Sequence, residues 1–160
     1  MQVKPISNPK IDNDVRLDPR LKPLLNLMQL PPAHDVESRE EILRQANSVK
    51  AIAARENLQG FMLSFDNEEV APSAGLTIST KEFNSSPDGN TIKIQLIQPE
   101  SDQPLPCVYY IHGGGMMIMS CYDANYRAWG KIIAACGVNV AMVDFRNCVS
   151  PSSASEVAPF

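Results

Sequence analysis

Cys107-Val108-Tyr109-Tyr110-Ile111-His112-Gly113-Gly114-Gly115 is a short apolar run that ends abruptly in three glycines. A continuous apolar run of this length reads as a strand buried on both faces, the kind found in parallel sheets. The glycines that stop it need a physical reason. Glycine lacks Cβ and tolerates positive φ, so the backbone can turn sharply and aim successive N–H groups into one cavity. Such a nest of donors binds an anion or a developing oxyanion. A plain glycine-rich turn is the competing reading. A phosphate loop is weakened because the chain contains neither G-x-G-x-x-G nor G-x-x-x-x-G-K-[ST]. His112 favours the oxyanion reading, because its ring can brace the loop by bonding backbone groups.

Outward from this stretch, Ala124 to Cys136 has a helical pattern, with Trp129, Ile132, Ile133 and Cys136 on one side and Gly137 as its stop. Val138-Asn139-Val140-Ala141-Met142-Val143-Asp144-Phe145 is a second buried strand. Strand, helix and strand with short links predict a βαβ unit with parallel strands. Upstream, residues 76–83 and 91–97 alternate apolar and polar, and Asn84-Ser85-Ser86-Pro87-Asp88-Gly89-Asn90 between them is rich in turn formers. That is an antiparallel hairpin, expected at the edge of a mixed sheet.

The first 60 residues have a different character. Residues 1–16 read as an extended lead-in. A helix is expected from Asp18-Pro19, with Leu21, Leu24, Leu25, Leu27, Met28 and Leu30 on its apolar face and Pro31-Pro32 as its stop. Ser38-Arg39-Glu40-Glu41 fits a capping box opening a second helix, with Ile42, Ala46, Val49, Ile52 and Ala53 at helical spacing and Gly60 as its end. These helices are either ordinary packing on a core or a mobile cap over a site.

The chain has 160 residues, a net charge of −4 and a hydrophobic fraction of 44%. Mild acidity without a basic stripe speaks against a nucleic-acid partner or an anionic membrane surface. The N-terminus lacks the apolar core of a secretory signal, and no apolar run approaches the roughly 18–20 residues of a membrane span. A cytoplasmic location is therefore expected. Cys107, Cys121, Cys136 and Cys148 form no C-x-x-C pair, and the histidines are His34 and His112. This spacing suits no zinc site, so no metal and no cofactor is expected. Cys107 and Cys136 are expected to be buried small hydrophobes.

His112-Gly113-Gly114-Gly115 after a strand resembles the oxyanion signature of the hormone-sensitive-lipase-like α/β-hydrolase esterases. Val143-Asp144-Phe145-Arg146-Asn147, with Pro151 and Val157-Ala158-Pro159-Phe160 beyond, is similar to that family's Asp-Tyr-Arg segment and its Pro-rich continuation. The family often continues Asp-Tyr-Arg as Leu-Ala-Pro-Glu, whereas Asn147-Cys148-Val149-Ser150-Pro151 stands here, which suggests a longer loop. The resemblance covers roughly residues 20–160.

It implies the N-terminal half of an α/β-hydrolase fold: a mixed, mostly parallel sheet with an antiparallel edge hairpin. Residues 1–60 would be cap helices and residues 61–160 the first part of the catalytic domain. It implies a carboxylic-ester hydrolase acting on short- to medium-chain acyl esters through a serine acyl-enzyme. Gly114 and Gly115 would donate to the oxyanion, and Gly113 and His112 would shape the loop. Met116, Met117, Ile118, Met119 and Tyr122 would line the substrate pocket, with Asp123 shaping the same loop; core packing is the other reading of the methionines. No Gly-x-Ser-x-Gly elbow occurs among the 160 residues, and both histidines lie at or before the glycines. The triad Ser, acid and His would therefore come from a C-terminal remainder of the hydrolase, in the same or a separate chain. The other partner is a small ester substrate, and a homodimer is compatible with the pattern. Two further readings stay open: a non-catalytic relative or small-ligand module, and an anion or nucleotide binder at the glycines.

Overall fold

In the computed structural model, residues 8–27, 35–86 and 88–152 are described. The helices α1 (Pro9–Asp12), α2 (Lys22–Leu27), α3 (Arg39–Ala46) and α4 (Val49–Met62) come first, and a 3-10 turn (Leu63–Phe65) follows. Then come β1 (Leu76–Asn84), β2 (Thr91–Pro99), β3 (Cys107–Ile111), α5 (Ala124–Ala134) and β4 (Asn139–Asp144). The strands form one sheet in the order β1-β2-β4-β3. β1 and β2 pair antiparallel, as do β2 and β4, while β3 and β4 pair parallel. This mixed sheet with its edge hairpin and β3–α5–β4 unit is the N-terminal part of an α/β-hydrolase fold.

The chain divides into two units, one up to Val36 and one from Glu37. In the first, Asn8 caps α1 by accepting from the Lys10 amide at 3.0 Å, with Pro9 opening the helix. This short helix replaces part of the expected extended lead-in. α2 starts at Lys22 rather than at Asp18-Pro19, which instead lead a turn closed by the Leu21 amide and the Asp18 carbonyl. Met28, Leu30, Pro31-Pro32, His34 and residues 157–160 lie outside the described residues.

In the second unit, Ser38 Oγ accepts from the Glu41 amide at 3.2 Å, as the capping pattern predicts. The helix beyond it is interrupted. Ser48 Oγ bonds back to the Gln45 carbonyl and accepts from the Ala51 amide, so it ends α3 and caps α4. Gly60 is not a stop: α4 continues through it to Met62.

The core gathers Ile97, Cys121, Ala134, Val140 and Met142, all fully buried. A Cβ on Gly130 would lie 2.5 Å from Met142 Sδ and 2.8 Å from Ile97 Cδ1, so glycine there lets α5 press on the sheet. α5 turns Ala124, Ala128, Lys131 and Ala134 inward. Ile133 packs on the core, but Trp129 and Ile132 face out, with Trp129 half exposed. The expected apolar face is thus displaced, because small residues allow close approach and Lys131 is neutralised. Its Nζ sits 2.6 Å from Asp66 Oδ1, with both side chains nearly buried. Arg127 also pairs with Asp66. Burial pushes the Asp66 carboxyl up, but bonds from Lys131 and Arg127 outweigh it and hold the group below its ordinary value.

β3 is buried on one face only. Val108 and Tyr110 are partly covered, whereas Tyr109 and Ile111 are 58% and 64% exposed. The cause is position: β3 pairs with β4 alone and forms the edge of the described sheet. Cys107 and Cys136 are likewise exposed rather than buried, being on this uncovered face and at the outer end of α5; Cys121 is the buried thiol.

Candidate active site

The glycines follow β3 directly and precede α5, so a rigid strand and a rigid helix hold both ends of the loop. His112 is buried, and its Nδ1 lies 2.7 Å from the Gly113 carbonyl oxygen. A carbonyl only accepts, so Nδ1 carries the proton. In a trans peptide the following N–H points opposite to that carbonyl. His112 therefore turns the Gly114 amide away from itself. The Gly114 carbonyl in turn accepts from the amides of Met117 and Ile118, which orients the next peptide. Among the described residues, the amides of Gly114 and Gly115 donate to no protein acceptor.

Geometry requires glycine at Gly114, and at Gly113 a side chain would displace the Tyr126 hydroxyl. Gly114 has φ of 111°, and a Cβ there would lie 2.1 Å from the Ile118 carbonyl oxygen. A Cβ on Gly113 would lie 2.7 Å from the Tyr126 hydroxyl. At Gly115 φ is 64° with open space around it.

The segment after β4 braces this loop from below. Phe145 stacks on the His112 ring, with centroids 4.2 Å apart and planes 3° from parallel. Asp144, 2% exposed, accepts from Ser120 Oγ at 2.6 Å and from the Cys121 amide at 3.2 Å. The Asn147 amide nitrogen donates to the Met119 carbonyl at 2.7 Å. The amides of Cys148 and Ser150 donate to the carbonyls of Met116 and Met117. Arg146 pairs with Asp88 in the β1–β2 turn. The role of this segment as a buttress is visible only in three dimensions.

A cavity of about 300 Å³ opens beside the loop between α4 and the start of α5, lined by Leu58, Met62, Ile118, Met119, Tyr122 and Asp123 among others. A second, of about 260 Å³, adjoins it and is lined by Ser120, Ser150 and Ser152 as well as Arg55, Gln59, Met119 and Asp123. Of the residues expected to meet substrate, Met119, Tyr122 and Ile118 line the first cavity. Met116 and Met117 line neither; their side chains are 70% and 42% exposed and their carbonyls tie the loop to residues 148–150. Burial pushes the Asp123 carboxyl above its ordinary range, against the bond from the Ser120 amide. Gln59 of α4 reaches the same carboxylate at 3.5 Å, a contact between residues 64 positions apart that no local pattern announces. Tyr122 is fixed by its hydroxyl, 3.2 Å from Thr80 Oγ1. Among the described residues, no group of three or more His, Cys, Asp or Glu is placed to hold a metal ion.

The strand–glycine loop–helix unit on this sheet defines the N-terminal part of an α/β-hydrolase. No family model matches the chain. Its sequence and fold are similar to those of esterase Est22, at 58% identity and a TM-score of 0.89 over 94% of this chain and 44% of that structure. Brefeldin A esterase, described as a bacterial homologue of human hormone sensitive lipase, is 27% identical with a TM-score of 0.66, over 96% of this chain and 42% of its own. Gut esterase 1 of Caenorhabditis elegans is 34% identical over 65 residues, 41% of this chain and 12% of that protein. The chain thus spans under half the length of these relatives. By fold and sequence it is similar to the N-terminal parts of these α/β-hydrolase esterases, one of them described as a homologue of hormone sensitive lipase. Among the described residues no helix is long and apolar enough to cross a membrane.

Proposed function

We propose that these residues supply the oxyanion hole and part of the substrate cleft of a carboxylic-ester hydrolase. The observation that carries this is the peptide orientation at the glycines. His112 and the Gly114 carbonyl fix two successive peptide planes, which leaves the Gly114 and Gly115 amides to donate to a ligand. Acyl transfer needs such preset donors where the ester carbonyl oxygen becomes negative; one donor is worth about 2.7–4 kcal/mol of barrier.

In this reading a serine, an acid and a histidine from the remainder of the hydrolase complete the site. The serine attacks the ester carbonyl and the amides hold the resulting oxyanion. Collapse expels the alcohol, and water then hydrolyses the acyl-enzyme. α3 and α4 act as a cap, and Met119, Ile118 and Tyr122 contact a short- to medium-chain acyl or aryl group. The enzyme works without a cofactor.

The test is turnover of p-nitrophenyl esters, a choice supported by the structure of Est22 with p-nitrophenol. The full-length protein is expected to hydrolyse p-nitrophenyl butyrate in a serine-dependent way, and residues 1–160 alone are expected not to. Serine-dependent turnover by residues 1–160 would overturn the division of roles. Absence of hydrolysis together with heat of binding on phosphate titration would favour an anion-binding loop instead.

A further inference from the structure

Met119 has φ of 79°, in the left-handed region that a side chain disfavours. An outside constraint must hold it there. Asn147 has no exposed surface, and its amide nitrogen grips the Met119 carbonyl at 2.7 Å. The Tyr126 hydroxyl meets the Met119 sulfur at 3.4 Å. Methionine has several rotatable bonds and adapts to whatever it touches. Here both its backbone and its sulfur are tied.

The place it is tied to matters. Arg55, Gln59, Asp123 and Met119 line both cavities, and Met119 is the apolar side chain the two share; Leu58, Met62 and Ile118 belong to the first alone and Ser120, Ser150 and Ser152 to the second alone. Asn147 lines neither. We propose that Met119 is the partition between an apolar and a polar chamber of one cleft, and that Asn147 is the positioning residue that keeps it in place. The apolar chamber then accepts a group of limited length, and the polar chamber stays closed to it. This rests on the ester-hydrolase reading and adds what sets its chain-length limit.

The experiment uses the full-length protein and p-nitrophenyl acetate, butyrate, hexanoate and octanoate. Met119→Ala is expected to raise the octanoate-to-butyrate ratio of kcat/KM by about tenfold, the scale on which hydrophobic pockets discriminate chain length. Asn147→Ala is expected to move the same ratio in the same direction. In a Met119→Gly background, where no side chain remains to be placed and glycine adopts the conformation freely, Asn147→Ala is expected to leave the ratio unchanged. An unchanged ratio in Met119→Ala overturns the partition. An Asn147→Ala effect that scales all esters by one factor, or that persists in the Met119→Gly background, overturns the positioning role. If Asn147→Ala does not fold, Asn147→Asp, which keeps the size but cannot donate, takes its place. No hydrolysis by the unsubstituted protein would defeat the ester reading and the partition with it, whereas hydrolysis with unchanged ratios would defeat the partition alone.

Discussion

The rings of His112 and Phe145 lie face to face, 4.2 Å between centroids and 3° from parallel, directly beneath the glycine loop. The stack joins the end of β3 to the end of β4. It fixes the His112 ring plane and so aims Nδ1 at the Gly113 carbonyl. His112 thereby acts through the backbone. His112→Ala is expected to lower kcat of the full-length enzyme by about a hundredfold, the scale of one lost oxyanion donor, with KM little changed. Equal changes in kcat and KM for all substrates would contradict this.

The glycines separate sterically. Gly114→Ala places a Cβ 2.1 Å from the Ile118 carbonyl oxygen, so the loop must rearrange and activity is expected to vanish. Gly115→Ala meets open space and strains only φ, at a cost of about 1–2 kcal/mol in stability. Melting curves and turnover measured on both variants check the contrast: Gly115→Ala should fold and retain activity that Gly114→Ala lacks.

The Asp66–Lys131 pair is the hidden fixture of α5. Lys131→Met leaves the nearly buried Asp66 carboxylate with only the partly exposed Arg127 as its ion-pair partner among the described residues, and is expected to cost about 3 kcal/mol in denaturant unfolding. Arg127 is 39% exposed, and Arg127→Met should cost under about 1 kcal/mol. Because the Asp66 carboxyl titrates below its ordinary value in the fold, its contribution is present above that ordinary value and is lost as pH falls through the lowered one.

Asp123 has the opposite sign. Burial raises its carboxyl, so the folded state holds the proton more tightly than the unfolded chain, and stability falls as pH rises from the ordinary carboxylate range through the raised value. Asp123→Asn is therefore expected to raise the melting temperature at neutral pH, with the gain fading below the ordinary carboxylate range. A gain that persists in acid would contradict the burial cause.

The edge strand carries a practical consequence. Tyr109 and Ile111 stand exposed on β3, which is paired on one side only. Such an edge templates pairing with other chains. Residues 1–160 produced alone are expected to aggregate; a soluble monomer with a sharp cooperative melt would count against this.

Much of this arrangement was legible residue by residue. The alternation at 76–83 and 91–97 marks the extents of β1 and β2 to within two residues, but its burial does not follow: β1, paired on one side only, is largely exposed along its length, Ile78 and Phe83 included. The glycines mark the loop because no other residue fits Gly114. Local signals for the α1 cap at Asn8-Pro9 and the helix break at Asn47-Ser48 were present as well, in residue types that favour caps. What local pattern could not show depends on distant partners. Lys131 turns inward only because Asp66, far off in sequence, meets it. Two apolar stripes compete on α5, and bulk pointed to the wrong one. Asp144 and Asn147 look like strand-end polar residues until the fold brings them under Ser120 and Met119.

The central claim is that the Gly114 and Gly115 amides receive the oxyanion. A crystal structure of the full-length protein inactivated by an alkyl phosphonate tests it most directly, because the phosphonyl oxygen mimics the tetrahedral intermediate. That oxygen is expected about 2.7–3.1 Å from both amide nitrogens, the span of a working oxyanion hole. A phosphonyl oxygen bound elsewhere, with both amides left without it, would contradict the account.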